Sequence, residues 1–341
     1  MAVSSSTQAV DRVTPDAPPP TTMPVPARTP WPRRLVRYGI AFAILFGLWY
    51  LDRLRLEDFG RAGLEWRWAL AALGLLLPVY FVAAVRLQCV LRSMGASCTL
   101  GQALSFTFYG AIAELALPFV FGGDLAKAVY VGRCSSRATA VATVLADRLV
   151  GLLGLCVFAL LASVAQIRLI LADEQLLRVI LLLVGLSGTC LAGCLAVVFL
   201  HGPASQLGRR ILGAVPAGDK AATLLRVMTQ LSRGPHLWRA VACSTLGHGF
   251  WAIAASFLAY ALNLDVPFVP MLLVLPIVAF CNALSFAGGI GGGLLAFEYL
   301  FHNVLGAPPG DGARLGIALP ILLTMSKVYA IPWLFMADRK R

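Results

Sequence analysis

Apolar residues in this chain gather in long runs separated by short polar clusters. Six runs are close to or above the roughly 17 residues that cross a bilayer of about 30 Å. They are residues 35–51, 68–85, 138–165, 176–200, 238–262 and 315–336. The pattern therefore predicts an all-α, polytopic helical membrane protein with about six full spans.

A seventh apolar region, residues 103–121, is interrupted. It carries Glu114 and runs directly into Gly122, Gly123 and Asp124. Glycine permits a turn at such a point, but irregular backbone at membrane depth must be buried in protein or line an aqueous cavity. We therefore expect this region to dip into the membrane and turn back as a re-entrant hairpin.

An eighth region, residues 268–287, runs into the sequence GGIGGG, after which the apolar segment 294–305 has only 12 residues. A limb of that length is too short for an ordinary span. A second re-entrant hairpin is expected here, and a pair of short tilted helices is the alternative.

The positions of Lys and Arg predict the orientation, because cytoplasmic loops carry an excess of them. If both hairpins return to the face that they entered from, the basic residues before the first span, the loop 201–237 and the C-terminus all lie in the cytoplasm. The first outer loop, which carries four arginines, goes against this rule. Two hairpins that enter from opposite faces suggest an inverted repeat.

The chain is expected to form one membrane domain, residues 31–337, with 201–237 as its basic cytoplasmic loop. Residues 1–30 are rich in Ser, Thr and Pro, which predicts a disordered cytoplasmic tail. Residues 338–341 are expected to be a basic cytoplasmic C-terminus.

Composition supports the membrane class and narrows the chemistry. The chain is 59% hydrophobic and 13% charged, which excludes an ordinary soluble domain. Its net charge of +12 lies mainly in loops, so no nucleic-acid partner is expected. The eight cysteines form no C-x-x-C pair, and we expect no disulfide framework, no metal and no cofactor.

Ionisable residues cluster around the first glycine break. Glu114, Asp124 and Lys127 belong to it, and Asp147 and Arg148 belong to the following span. Asp147 lies about 14 Å into that span at 1.5 Å per residue, near the membrane centre. An unpaired charge there costs at least about 2.5 kcal/mol. We predict that Asp147 pairs with Lys127, and Arg148 with Glu114 or Asp124.

Glu114 is a candidate for a supporting role, and so are two further charges. Glu298 lies in the second hairpin and Lys327 in the last span. Intramembrane charges serve as structural salt bridges as often as they contact a ligand, and one residue can do both. His248 is expected to hydrogen-bond in helix packing rather than to relay protons.

The segments GGDLAKAVYVGR and ATVLADRLVGLLGL, with VRLQCVLRSMG before them, resemble the lysylphosphatidylglycerol synthase transmembrane-region family of flippase-like membrane proteins. The second half departs from the family's glycine-rich turn ending in Arg-Glu: Gly293 and Leu294 stand at those places. The basic residue that the family has in its last span is represented by Lys327. Carried over by position, the motif falls on Gly122, Gly123, Asp124, Lys127, Asp147 and Arg148.

The resemblance implies lipid handling. Our leading hypothesis is a protein of a bacterial inner membrane that binds or translocates an anionic phospholipid or a polyprenyl-linked lipid precursor. The head group would meet Lys127, Arg148 and the hairpin amides, with no catalytic residue. One alternative is a lipid-phosphate or glycosyl-transfer enzyme that uses Glu114, Asp124 and Asp147. Another is a membrane anchor that recruits a soluble glycosyltransferase or synthase through the loop 201–237.

Overall fold

The computed structural model describes residues 63–95, 98–116, 122–132, 137–172, 174–199, 231, 235–284 and 290–332. Within these ranges the regular structure is helical. The helices are α1 (Trp66–Ser93), α2 (Leu100–Ala116), α3 (Gly122–Val131), α4 (Arg137–Ala165), α5 (Ile167–Ala172), α6 (Glu174–Phe199), α7 (His236–Ala261), α8 (Phe268–Leu284), α9 (Ile290–Tyr299) and α10 (Asp311–Ser326). A π-helical segment, Leu300–Val304, follows α9, and a 3-10 segment, Lys327–Ala330, continues α10.

Among the described residues, four helical segments are long and apolar enough to cross a membrane. They are Trp66–Ser93, Thr139–Ala165, His236–Ala261 and Asp311–Ala330, and they coincide with four predicted spans. Large apolar side chains such as Leu70, Phe81 and Val164 are exposed on them, as expected for surfaces that face lipid. The prediction of an all-α, multi-pass membrane protein is confirmed.

The other predicted segments lie partly or wholly outside the described residues. The predicted span 176–200 falls on α6, which has an apolar stretch at Leu176–Thr189. The span 35–51, the tail 1–30, the C-terminus 338–341 and nearly all of the loop 201–237 lie outside.

Helices α1 and α7 pack side by side in opposite directions. At one end the amide of Glu65 donates to the carbonyl of Ala261 at 2.9 Å, while further along Arg86 donates to Ser244 at 3.2 Å. Small buried residues of α7 permit the close approach; they include Ala240, Ala252, Ala255 and Ala259. Helices α4, α8 and α10 pack against this pair.

The elements recur in the same order in the two halves. Helix α1 is followed by the 17-residue α2, the 10-residue α3 and the long α4. Helix α7 is followed by the 17-residue α8, the 10-residue α9 and then α10. The corresponding helices α1 and α7 run antiparallel.

At the first glycine break, α2 and α3 pack antiparallel at very short distance. The ring of Tyr109 stacks on Tyr130 at 4.5 Å between centroids, and Glu114 lies against Gly123 near the other end of the pair. A Cβ on Gly123 would lie only 2.8 Å from the carbonyl oxygen of Gly110. The second break is built alike, because the amide of Asn282 on α8 occupies the space where a side chain of Gly293 on α9 would lie.

Candidate functional site

Charged side chains gather where the α2–α3 hairpin meets α1, α4 and the end of α10. Three direct ion pairs hold this cluster together, and further charges act on them at longer range. Its members are Arg86, Glu114, Asp124, Lys127, Asp147, Arg148 and Lys327. We call this set the charged cluster.

Asp147 on α4 pairs with Arg86 on α1. The Nε of Arg86 donates to Oδ1 at 2.7 Å, and Nη2 donates to Oδ2 at 3.0 Å. The predicted direct pair with Lys127 is therefore wrong. The planar guanidinium reaches both carboxylate oxygens at once, which an ammonium group does not.

Sequence reasoning missed Arg86 because it assigned the residue to the cytoplasmic end of a span. Helix α1 instead continues to Ser93, so Arg86 lies about 10 Å before its end at 1.5 Å per residue. The segment VRLQC could have indicated that Arg86 lies inside the bundle, because Arg86 is the only charged residue in that part of the family-like motif.

Arg148 pairs with Asp124, one of its two predicted partners. Its Nε donates to Oδ2 at 2.6 Å, which joins α4 to the first turn of α3. The Arg148 side chain is 55% exposed, and its two terminal nitrogens donate to no group among the described residues. The second oxygen of Asp124, Oδ1, is buried without a partner there. This pair therefore retains capacity for a further polar group.

Glu114 pairs with Lys327, at 3.2 Å between Oε2 and Nζ. Two of the three supporting residues, one from each half of the chain, are thus in contact. Next to them Ser326 shares a hydrogen bond with the hydroxyl of Tyr80 on α1 at 2.9 Å. These contacts attach the end of α10 to both α1 and α2.

Lys127 lies on α3 with its aliphatic part against Gly110, where an added Cβ would be 2.9 Å from its Cε. No ion pair joins Lys127 to a carboxylate within the described residues. The cluster contains four cations and three carboxylates, each of which already has a basic partner. One positive charge is left in excess, and Lys127 is the cation of the cluster that has no direct ion-pair partner in the part of the chain that the structure describes.

Gly122, Gly123 and Asp124 form the buried first turn of α3, beside α4. The six motif residues predicted as the head-group site therefore lie on two neighbouring helices. Amide groups in the first turn of a helix have no intrahelical acceptor, so they can contribute to binding an anion.

Glu298 belongs to a different part of the molecule. Its carboxylate accepts the amides of Gly310 and Ala313, each at 3.0 Å, and so caps the N-terminus of α10. Lys327 lies at the other end of that helix. The structure therefore separates Glu298 from the charged cluster. His248 bonds to the carbonyl of Gly151 at 3.2 Å, which is the packing role that we predicted.

The described residues contain no group of three or more His, Cys, Asp or Glu side chains that could hold a metal ion. Because Glu114, Asp124 and Asp147 each pair with a different cation, the cluster has the form of a network of ion pairs. An additional anion would balance its one excess positive charge.

These features define a multi-pass helical membrane protein with a charged site between its helices. The chain belongs to the lysylphosphatidylglycerol synthase TM region family, whose model matches residues 36–323. The resemblance noted in the sequence is thereby confirmed, and it places the protein among membrane proteins related to lipid modification or transport. Comparisons with curated proteins and with solved structures found no match.

Proposed function

We propose that this protein is flippase-like: it binds the anionic head group of a lipid at the charged cluster and moves that lipid across a bacterial inner membrane. The observation that carries the proposal is the excess positive charge of the cluster. An unneutralised charge is unfavourable at membrane depth. A bound anion would remove that cost.

The position of Arg148 supports a site that lipids can reach. It lies about 16 Å from the start of α4 at 1.5 Å per residue, near the middle of the bilayer. Val141, Leu145 and Arg148 are all exposed and share one face of α4, at positions i, i+4 and i+7. The exposed apolar stripe thus ends at a cation, which would let acyl chains stay in the bilayer while the head group contacts Arg148.

The charge of the cluster favours a head group with one negative charge. A single excess cation balances one phosphodiester, as in a phospholipid or a polyprenyl phosphate ester. A diphosphate carries more charge than Lys127 alone would balance. The terminal nitrogens of Arg148 and the first-turn amides of α3 can hydrogen-bond phosphate oxygens.

The helix lengths support two re-entrant hairpins. Helix α3 has 10 residues, or about 15 Å at 1.5 Å per residue, and α9 with its π-helical continuation to Val304 has 15 residues. Both are shorter than the roughly 17 residues of an ordinary span. The antiparallel α1 and α7 support an inverted repeat, in which the hairpins would enter from opposite faces and meet near the membrane centre. Both termini would be cytoplasmic, and rocking of one half against the other would expose the cluster to each leaflet in turn.

The enzymatic alternative has less support, because the three carboxylates that would act as acid, base or metal ligands are each engaged by a cation. Recruitment of a soluble glycosyltransferase or synthase would use the loop 201–237, nearly all of which lies outside the described residues.

Reconstitution tests the proposal. Proteoliposomes with fluorescent phosphatidylglycerol or phosphatidylcholine would be compared by the fraction of label accessible to an impermeant quencher over time. We expect faster transfer of the anionic lipid, and loss of that transfer in Lys127→Ala and Arg148→Ala. The matched control is Arg178→Ala, since Arg178 forms an exposed pair with Glu174 on α6. Transfer at wild-type rate in both cluster variants would refute the proposal.

A further inference from the structure

A cavity of about 270 Å³ lies between α1 and α7, with Ala279 of α8 on its wall. Its lining is polar at one end and apolar at the other. Arg86, Cys243 and Ser244 lie at the polar end, while Val79 and Trp251 lie at the other. From Arg86 to Val79 the cavity extends about 10 Å along α1 at 1.5 Å per residue.

The polar end has hydrogen-bond donors to spare. The guanidinium of Arg86 has five N–H groups, of which two bind Asp147 and one binds Ser244. The hydroxyl of Ser244 and the ring of His248 both bond to the carbonyl of Gly151. Two N–H groups of Arg86 are thus without an acceptor among the described residues. A ligand here would need an oxygen acceptor at one end.

The remaining walls suit hydrocarbon. Val82, Ala83 and Gly247 contribute small or aliphatic surface between the two ends. An engineered apolar cavity of about 150 Å³ takes benzene and stays dry without it, so a cavity of this size holds roughly ten carbons. The cavity is therefore shaped for a short length of chain that carries an acceptor at the Arg86 end.

We propose that this cavity binds part of one acyl chain of a glycerolipid, with the ester carbonyl oxygen at Arg86 and the methylenes directed toward Val79 and Trp251. The inference rests on the proposed function in that the protein handles lipids. It goes beyond it by assigning a separate chain-binding site, on α1 and α7, that shares Arg86 with the charged cluster.

Photolabelling tests the assignment. The full chain would be reconstituted with phosphatidylglycerol that carries a diazirine within its acyl chain, irradiated, and analysed by peptide mass spectrometry. We expect label on Val82, Ala83 or Trp251. Leu77 and Phe81 are exposed on the same helix, so they report ordinary contact with bulk lipid. Label confined to those two residues would overturn the proposal.

Filling the cavity is the matched test. Ala83→Phe should remove the label from Trp251 and leave the label on Phe81 unchanged. Leu77→Phe should leave the label on both Trp251 and Phe81 unchanged. Ala279→Leu provides a second filling variant if Ala83→Phe does not fold, as judged by gel filtration. Label on Trp251 that survives both fillings would also overturn the proposal.

Lipid transfer measured on the same preparation separates this inference from the proposed function. Absent transfer with the Trp251 label intact would refute head-group translocation and leave the acyl-chain site standing. Normal transfer with label only at Leu77 and Phe81 would refute the acyl-chain site and leave head-group translocation standing.

Discussion

Arg86 and Asp147 form a two-point ion pair that links α1 to α4 inside the bundle. Their side chains are only 16% and 4% exposed. Removing one partner of a buried pair leaves the other charge uncompensated, whereas replacing both with apolar residues removes both desolvation costs. The pair is therefore expected to contribute strongly to stability in any single-substitution test.

We predict that Asp147→Ala or Arg86→Ala lowers the free energy of unfolding by about 3–5 kcal/mol, and that Arg86→Met with Asp147→Leu recovers most of this loss. Denaturant unfolding in detergent micelles measures both effects. Glu174→Ala is the control, since its ion pair with Arg178 is exposed and we expect a change of at most about 1 kcal/mol. A double variant as unstable as the summed single variants would contradict the prediction.

The Arg86–Asp147 pair also shows which features of the structure could be predicted from the sequence and which could not. The described glycines that we expected to form turns lie instead in the first turns of α3 and α9, whereas the bilayer-length runs correctly predicted the helical class and four candidate spans. These depend on hydropathy and local backbone preference, which are properties of short segments. The charges at Asp147 and Arg148 were found because charge within an apolar run is expensive.

The ion-pair partners could not all be predicted, because partner choice depends on helix rotation and on where each helix ends. From the sequence we considered only Lys127 as the partner of Asp147, because Arg86 was expected at the end of a span; the extension of α1 to Ser93 places Arg86 within the helix. Glu298 similarly looked like a site residue, since nothing local indicates that the amides of Gly310 and Ala313 lie within its reach.

The separate position of Glu298 leads to a prediction of its own. Glu298→Ala would leave the amides of Gly310 and Ala313 without their acceptor in a buried setting, at a cost of about 1–3 kcal/mol. Thermal unfolding should reveal that loss. Transfer per folded molecule should remain near wild type, because the residue lies apart from the charged cluster. If Glu298→Ala lost anionic lipid transfer without losing stability, Glu298 would belong to the lipid-binding site after all.

The glycine contact in the first hairpin can be tested sterically. A Cβ on Gly123 would lie 2.8 Å from the carbonyl oxygen of Gly110 and 2.6 Å from Oε1 of Glu114. The carboxylate can move but the backbone carbonyl cannot, so Gly123→Ala should destabilise by about 1–3 kcal/mol.

Gly101 on the same hairpin is the control, since nothing lies within 4 Å of its added Cβ. Gly101→Ala should be neutral or stabilise by up to about 1 kcal/mol, as expected for Gly to Ala in a helix. Equal unfolding midpoints for the two variants would show that α2 and α3 are not held in this close contact.

The Glu114–Lys327 pair offers a test of charge balance. Glu114 is 39% exposed and Lys327 17% exposed, so solvent screening limits the pair to about 1 kcal/mol of stability. The pair should affect the rate of lipid transfer more than it affects stability. Lys327→Glu makes the charged cluster net negative, and Glu114→Lys raises its positive charge further.

Lys327→Glu should therefore abolish transfer of fluorescent phosphatidylglycerol, and Glu114→Lys should impair it by separating α2 from the end of α10. The double swap restores both the ion pair and the single excess positive charge, so transfer should return toward the wild-type rate. As the control, Glu174 and Arg178 are exchanged in the same way, and this exchange should leave the rate of lipid transfer unchanged. A double swap as inactive as Lys327→Glu would mean that neither the pairing nor the net charge governs the site.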